Sequence, residues 1–240
     1  TKKNKNSIMS FSVSDEVIKW FSDDVNCPHT TVGIAVNFKL KHYRNKCIVR
    51  TAAKQKFKDI PINFYPYLKN VNKIFTKFNN IILVGMPGSG KSTISRCFNS
   101  LDSDVEIEKT YNEKLSQIVS TNTFEKFIEM EGDIIVNMMN NHKNKIIATG
   151  GSAIYSEKFR KNLENNLVIY LQVSEKGLQN RLGDFVSRGV LSKNCVKNIK
   201  DLMTERIPIY EKISDIIINT EKWSITRVEI FVKSLLLFAV

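Results

Sequence analysis

The sequence predicts a parallel α/β sheet with helices on both faces, preceded by a basic extension of unassigned fold. Three observations predict it. A strand–glycine loop–helix unit stands at 81–98, apolar runs alternate with helical stretches after it, and positive charge is concentrated ahead of it.

The unit at 81–98 organises the rest. Ile81-Ile82-Leu83-Val84 is a continuous apolar run, as expected for a strand buried on both faces of a parallel sheet. It leads into Gly85-Met86-Pro87-Gly88-Ser89-Gly90-Lys91-Ser92-Thr93, which has the pattern G-x-x-x-x-G-K-[ST]. Thr93 to Phe98 then starts a helix. The glycines Gly85, Gly88 and Gly90 let backbone N–H groups, including that of Ser89, close round phosphate oxygens, and the helix N-terminus adds partial positive charge. Lys91 can reach the outer phosphates, and the Ser92 hydroxyl can bind Mg²⁺. A chance glycine turn would not bring the right strand and helix with it.

Length and composition set bounds. A chain of 240 residues suits one domain with an appendage, or two small ones, and 42% apolar residues allow a real core. No apolar run approaches the roughly 18 residues of a membrane span. Leu235 to Val240 reads as the buried side of a last helix. No secretory signal is visible, while the first residue, Thr1, leaves a removed targeting segment open. The cysteines Cys27, Cys47, Cys97 and Cys195 form no C-x-x-C pair, which fits a reducing, intracellular compartment, cytoplasmic or within a mitochondrion or plastid. Cys27, His29, His42 and Cys47 match no standard zinc spacing, and ordinary thiols with surface histidines explain them as well.

The formal charge of +12 is uneven. Residues 1–80 hold 15 Lys+Arg and 5 Asp+Glu, whereas residues 81–240 hold 21 and 19. Such a basic segment suits RNA, an acidic protein surface or anionic lipid, or is simply a solvated tail.

Within the extension, Ser14 with Asp15 and Glu16 resembles a helix cap, and Val32 to Leu40 alternates as a half-buried strand does. Beyond the glycine loop, Asp102-Ser103-Asp104 sets two carboxylates at a strand end, able to take different roles near Mg²⁺ and near a hydroxyl. Ile118 to Ile135 reads as one helix. Ile146 to Thr149 is a second buried strand ending in Gly150-Gly151-Ser152, and Val168 to Val173 a third. Helices are expected over Glu175 to Leu182 and Asn198 to Glu205, a strand at Ile216 to Ile218, and a closing helix over Ile225 to Leu237.

The order of these motifs resembles the shikimate kinase family over about residues 79–240, which makes residues 1–78 the extension. The pieces that carry the resemblance are the loop Gly85 to Thr93, Asp102-Ser103-Asp104, Ala148-Thr149-Gly150-Gly151, Arg181-Leu182, Arg188, and Arg206-Ile207-Pro208-Ile209-Tyr210. The resemblance implies a P-loop NTPase of the nucleoside-monophosphate-kinase-like type, using ATP and Mg²⁺. It implies that Gly85, Gly88, Ser89, Gly90, Lys91, Ser92 and Thr93 bind ATP phosphates, with Ser92 and Asp102 serving Mg²⁺ and Arg181 stacking on adenine. Asp104 would hold the acceptor hydroxyl and act as base, with Lys91 and Arg188 acting on the transferring group. Gly150 and Gly151 would present N–H groups beside a small hydroxy acid, and Arg206 would bind its carboxylate.

Three departures from the family pattern stand out. In F-R-x-x-E an arginine grips the carboxylate, but aligning Phe127 and Glu131 puts Ile128 in its place. A third glycine is Ser152, and Val190-Leu191 follows Arg188-Gly189 where a proline usually follows the arginine. Finally, the stretch from Lys91 to Asp102 is several residues short, so either the domain has lost a helix turn and strand or residues are absent from the sequence.

Two functions follow. One is an ATP-dependent kinase of shikimate or a related hydroxy acid. The other is a kinase fold reused as a non-catalytic subunit of an RNA-containing assembly such as an organellar ribosome, favoured by the basic extension and by Ile128.

Overall fold

The computed structural model describes residues 67–69, 73, 78–182, 191–192, 196 and 198–236. The expectations for Ser14 to Glu16, for Val32 to Leu40, for the Cys27–Cys47 group and for Arg188 fall outside these residues.

The strands are β1 (Tyr67–Leu68), β2 (Ile81–Val84), β3 (Leu101–Asp102), β4 (Ile146–Ala148), β5 (Leu167–Gln172) and β6 (Ile216–Asn219). They form one sheet in the order β1-β6-β5-β2-β4-β3. Five strands are parallel, and only β1 runs antiparallel, pairing Tyr67 with Ile217 and Leu68 with Ile216. The sheet therefore draws an edge strand from ahead of residue 79. Among the described residues the helices are α1 (Lys91–Ser95), α2 (Ser103–Tyr111), α3 (Leu115–Thr121), α4 (Phe124–Asn141), α5 (Glu157–Lys161), α6 (Glu175–Leu182), α7 (Ile199–Ile213) and α8 (Ile225–Leu236), with a 3₁₀ turn at Ala153–Tyr155.

All four residues of β2 are buried, and their period-two alternation divides them between two cores. Ile82 and Val84 join Val168 and Tyr170 of β5 beneath Phe127, Ile135 and Met138 of α4. Ile81 and Leu83 face the other way, with Ile169 and Leu171, against Val228, Phe231 and Val232 of α8. Burial on both faces explains why the strands read as unbroken apolar runs. Trp223 packs edge-on to Phe231 at 5.5 Å in this second layer, as a core residue.

Two expectations need correction. The helix read over Ile118 to Ile135 is two helices, because Thr123 stops one and caps the next, its side chain accepting from the Lys126 N–H at 3.3 Å. The helix expected to end near Glu205 runs on to Ile213 with Pro208 inside it. Pro208 and Thr204, whose carbonyl it cannot bond, are both exposed residues, and Tyr210 on the same helix is fully buried. The stretch between Lys91 and Asp102 is short. A five-residue α1 and a turn suffice to lay Leu101 and Asp102 beside Ile147 and Ala148.

Candidate active site

The carboxyl ends of the parallel strands gather the chemistry, as expected for an open α/β sheet. The loop after β2 is set by three glycines of positive φ, Gly85 (151°), Gly88 (77°) and Gly90 (99°). At Gly85 the backbone also passes close to β5, so that a Cβ would stand 2.7 Å from the Leu171 carbonyl and 2.7 Å from Ser89 Oγ. Ser89 Oγ is buried and has no hydrogen-bond partner. Lys91 is folded back, Nζ donating to the carbonyls of Gly85 (2.7 Å) and Met86 (3.0 Å). Burial lowers its pKa to about 8, against the pull of the Asp104 carboxylate. Ser92 Oγ stands 3.5 Å from Asp102 Oδ2 on the exposed side of the loop. A hydroxyl and a carboxylate oxygen so placed are hard ligands suited to Mg²⁺. Thr93 is exposed one residue further on.

Arg181 in α6 reaches the outer rim, donating to the Gly88 carbonyl (3.3 Å) and to Thr220 Oγ1 (3.3 Å). It thereby links the glycine loop to the turn after β6.

On the other side lies a second group of charges. Asp102 ends β3 and caps α2, its Oδ1 accepting from the Asp104 N–H at 3.0 Å. Asp104 thus stands in the first turn of α2, where burial and then the Asp102 charge raise its pKa. The Gly150 N–H does not face outward as expected, because it donates to Ser103 Oγ at 2.8 Å. What Gly150 offers is room. A Cβ there would overlap Glu131 Oε1 and come within 2.9 Å of Asp104 Oδ1. Gly151 does the same for Arg206, whose Nη1 would lie 2.7 Å from a Cβ.

Glu131, Ser152, Tyr155 and Tyr210 complete the site, and sequence reasoning gave none of them a role. Glu131 is fully buried on α4; Oε2 accepts from Ser152 Oγ at 2.7 Å, and Oε1 has no partner. Burial pushes its pKa up to about 8 despite that hydrogen bond. Tyr210, one helical turn beyond Arg206, donates to the Gly151 carbonyl at 2.8 Å and stacks on Tyr170 at 5.0 Å. Arg206 is only 1% exposed, yet its Nη1 has no partner. A buried guanidinium and a buried carboxyl, each with one unsatisfied atom, mark a place for a polar ligand, since such atoms are costly to leave bare. Ile128 is packed in the core one turn before Glu131. From the sequence Glu131 served only to align Phe127 and Ile128 with the F-R-x-x-E pattern, because a glutamate on an apolar helix carries no local sign of the partners it meets.

A phosphate cradle at the carboxyl end of β2, with a buried carboxyl and a buried arginine across a gap from it, is the arrangement of a P-loop kinase. A family model for shikimate kinase matches residues 87–235, and the chain belongs to the shikimate kinase family. It is similar to the shikimate kinase of Thermobifida fusca, 31% identical over 147 residues covering 59% of this chain and 85% of that protein. The shikimate kinase of Wigglesworthia glossinidia brevipalpis is 36% identical over 151 residues, covering 59% and 87%. Among solved structures, shikimate kinase from Acinetobacter baumannii in complex with shikimate superposes with a TM-score of 0.58 at 26% identity, covering 69% of this chain and 96% of that one. The Bacteroides thetaiotaomicron enzyme, at 22% identity and a TM-score of 0.53, shares the fold. The chain is thus a kinase resembling shikimate kinase. No described helix is long and apolar enough to cross a membrane, and the described residues hold no cluster of metal-binding side chains. The basic segment that favoured an RNA-bound role lies outside the described residues, apart from the few near its end.

Proposed function

We propose that this chain phosphorylates a hydroxyl of shikimate, or of a closely related cyclic hydroxy acid, using magnesium and ATP. The observation that carries the reading is the pair of unsatisfied buried atoms, Glu131 Oε1, which lies with Asp104 against Gly150, and Arg206 Nη1, which lies against Gly151. Their chemistry complements an acceptor with one carboxylate and neighbouring hydroxyls, since a guanidinium N–H is spent best on an anion and a carboxyl on a hydroxyl.

Roles follow from position. ATP with Mg²⁺ supplies the transferable phosphoryl group when bound. Gly85 to Thr93 hold its phosphates, with Ser92 and Asp102 on the metal and Arg181 at the outer rim. Lys91, which here donates to two loop carbonyls, would serve the outer phosphates, and positive charge there would favour the transition state. Asp104 would orient the acceptor hydroxyl and take its proton at Oδ1 as that oxygen displaces ADP from the transferred phosphoryl group; its raised pKa makes it a better base. Arg206 binds the acceptor carboxylate. Arg188, in the segment after α6, is assigned to the transferring phosphoryl group by the family motif alone.

A coupled assay with shikimate and Mg·ATP tests this. The expected result is shikimate-dependent ADP release that is lost in K91M. Purified protein that binds ATP yet turns over neither shikimate nor a panel of cyclic hydroxy acids would refute the reading.

A further inference from the structure

Arg206 does not hang freely into the site. Its Nε donates to the Tyr155 hydroxyl at 3.2 Å, and its Nη2 donates to the Leu191 carbonyl. The Tyr155 hydroxyl in turn donates to the Glu205 carboxylate, so its one donor and one acceptor are both engaged. The guanidinium carbon lies 5.3 Å from the centre of the Tyr155 ring, within range of a cation–π contact. That ring is itself braced, edge-on to Phe124 at 5.4 Å, at the first residue of α4. Two of the three guanidinium nitrogens are therefore fixed, and only Nη1 remains, buried and unpartnered, beside the space left by Gly151.

We propose that Tyr155 is a positioning residue for acceptor binding: its hydroxyl sets the rotation of the Arg206 guanidinium so that Nη1 is the donor offered to the acceptor's carboxylate. The inference rests on the function proposed above. A free arginine side chain loses much rotamer entropy when it is fixed, and holding it before the ligand arrives removes that cost from binding. The need is acute in this chain because Ile128 cannot donate, which leaves Arg206 to hold the carboxylate without a second arginine on α4. Tyrosine suits the task where phenylalanine does not. Both rings pack on Phe124 and under the guanidinium, but only the hydroxyl can accept from Nε while donating to Glu205.

The test compares wild type with Y155F in the full chain. Steady-state kinetics measure both KM values and kcat with shikimate and Mg·ATP, and calorimetry measures shikimate binding. Nuclear magnetic resonance on ¹⁵N-arginine-labelled protein follows the Arg206 Nε–H. Y155F is expected to raise KM and Kd for shikimate about tenfold, the loss of one hydrogen bond to a charged group, with kcat and the KM for ATP little changed. The Nε–H signal, slowly exchanging in wild type, should move and exchange faster, while thermal unfolding stays two-state. Turnover by wild type with an indistinguishable Y155F overturns the role of Tyr155 and leaves the kinase reading standing. Binding without turnover overturns the kinase reading, and the ratio of Kd values then decides on Tyr155. A wild type that binds neither shikimate nor any member of the panel of cyclic hydroxy acids overturns both.

Discussion

Ser152 Oγ donates a 2.7 Å hydrogen bond to Glu131 Oε2, joining the turn after β4 to the middle of α4. Both residues are buried, and this is the only hydrogen bond that holds the Glu131 carboxyl among the described residues. A serine where the family pattern has glycine thus supplies a neutral donor to a carboxyl whose helix offers isoleucine one turn earlier. Removing it by S152A should leave Oε2 bare and destabilise the fold by about 1–3 kcal/mol. Urea unfolding of the two proteins at one pH measures the difference; equal midpoints and slopes would show that the bond contributes nothing.

The buried glutamate also makes stability depend on pH. Its ordinary pKa of 4.5 becomes about 8 in the fold. Between those values the folded form keeps a proton that the unfolded chain has released, so this group's contribution falls as pH rises through the window and is flat above it. Lys91, lowered from 10.5 to about 8, acts at higher pH and in the opposite sense, adding stability as pH rises from about 8 towards 10.5. The groups facing Glu131 are Ser152, Asp104, Arg206 and Lys91. E131Q mimics the protonated form, so its unfolding free energy should gain on that of wild type steadily from pH 5 to pH 8. Parallel profiles would refute the buried, protonated state.

At Arg206 the expected effect is on the acceptor alone. R206K keeps the charge but loses the planar fork that Tyr155 and Leu191 hold. The KM for shikimate should rise about 10- to 100-fold, as for a lost hydrogen bond between charged groups, with the KM for ATP unchanged. Equal rises in both KM values would point to general disruption of the site.

Returning an arginine to α4 is a gain-of-function experiment. Ile128 stands one turn from Glu131 and is 8% exposed. I128R should lower the KM for a carboxylated acceptor about tenfold by adding a charged donor. The same change should pull the Glu131 pKa down through a new opposite charge, and it should lower the melting temperature because Ile128 is part of the core. An unchanged KM would show that the acceptor does not lie against this face of α4.

The glycine loop tolerates little. G85A would force a side chain onto the Leu171 carbonyl and Ser89 Oγ at a φ of 151°, and should destabilise by about 1–3 kcal/mol while abolishing ATP binding. Fluorescent nucleotide titration together with thermal unfolding reads both effects. Wild-type affinity in G85A would show that the loop is not the phosphate cradle.

Much of this was open to reading along the chain. The strands β2, β4 and β5 announce themselves because burial on both faces demands unbroken apolar runs, and α6 stands where its pattern placed it. The loop from Gly85 to Thr93 is likewise local, since its function depends on backbone groups close together in sequence. Asp102 and Asp104 could be found as a pair for the same reason, two residues apart at a strand end.

What the sequence determined by itself is therefore the parallel α/β sheet, the family, and the residues whose roles are carried by short spacing. What only the tertiary structure decided is which side chains complete them. Arg206 was in view from the family motif, but its surroundings were not: Glu131, Ser152, Tyr155 and Arg206 come from three separate stretches, and their hydrogen bonds span 21 to 51 residues. The engaged Gly150 N–H, the passage of α7 through Pro208 and the antiparallel edge strand at Tyr67–Leu68 are of the same kind. Each depends on how distant segments satisfy one another's polar groups or cover one another's apolar faces, and a local pattern holds no record of that partner.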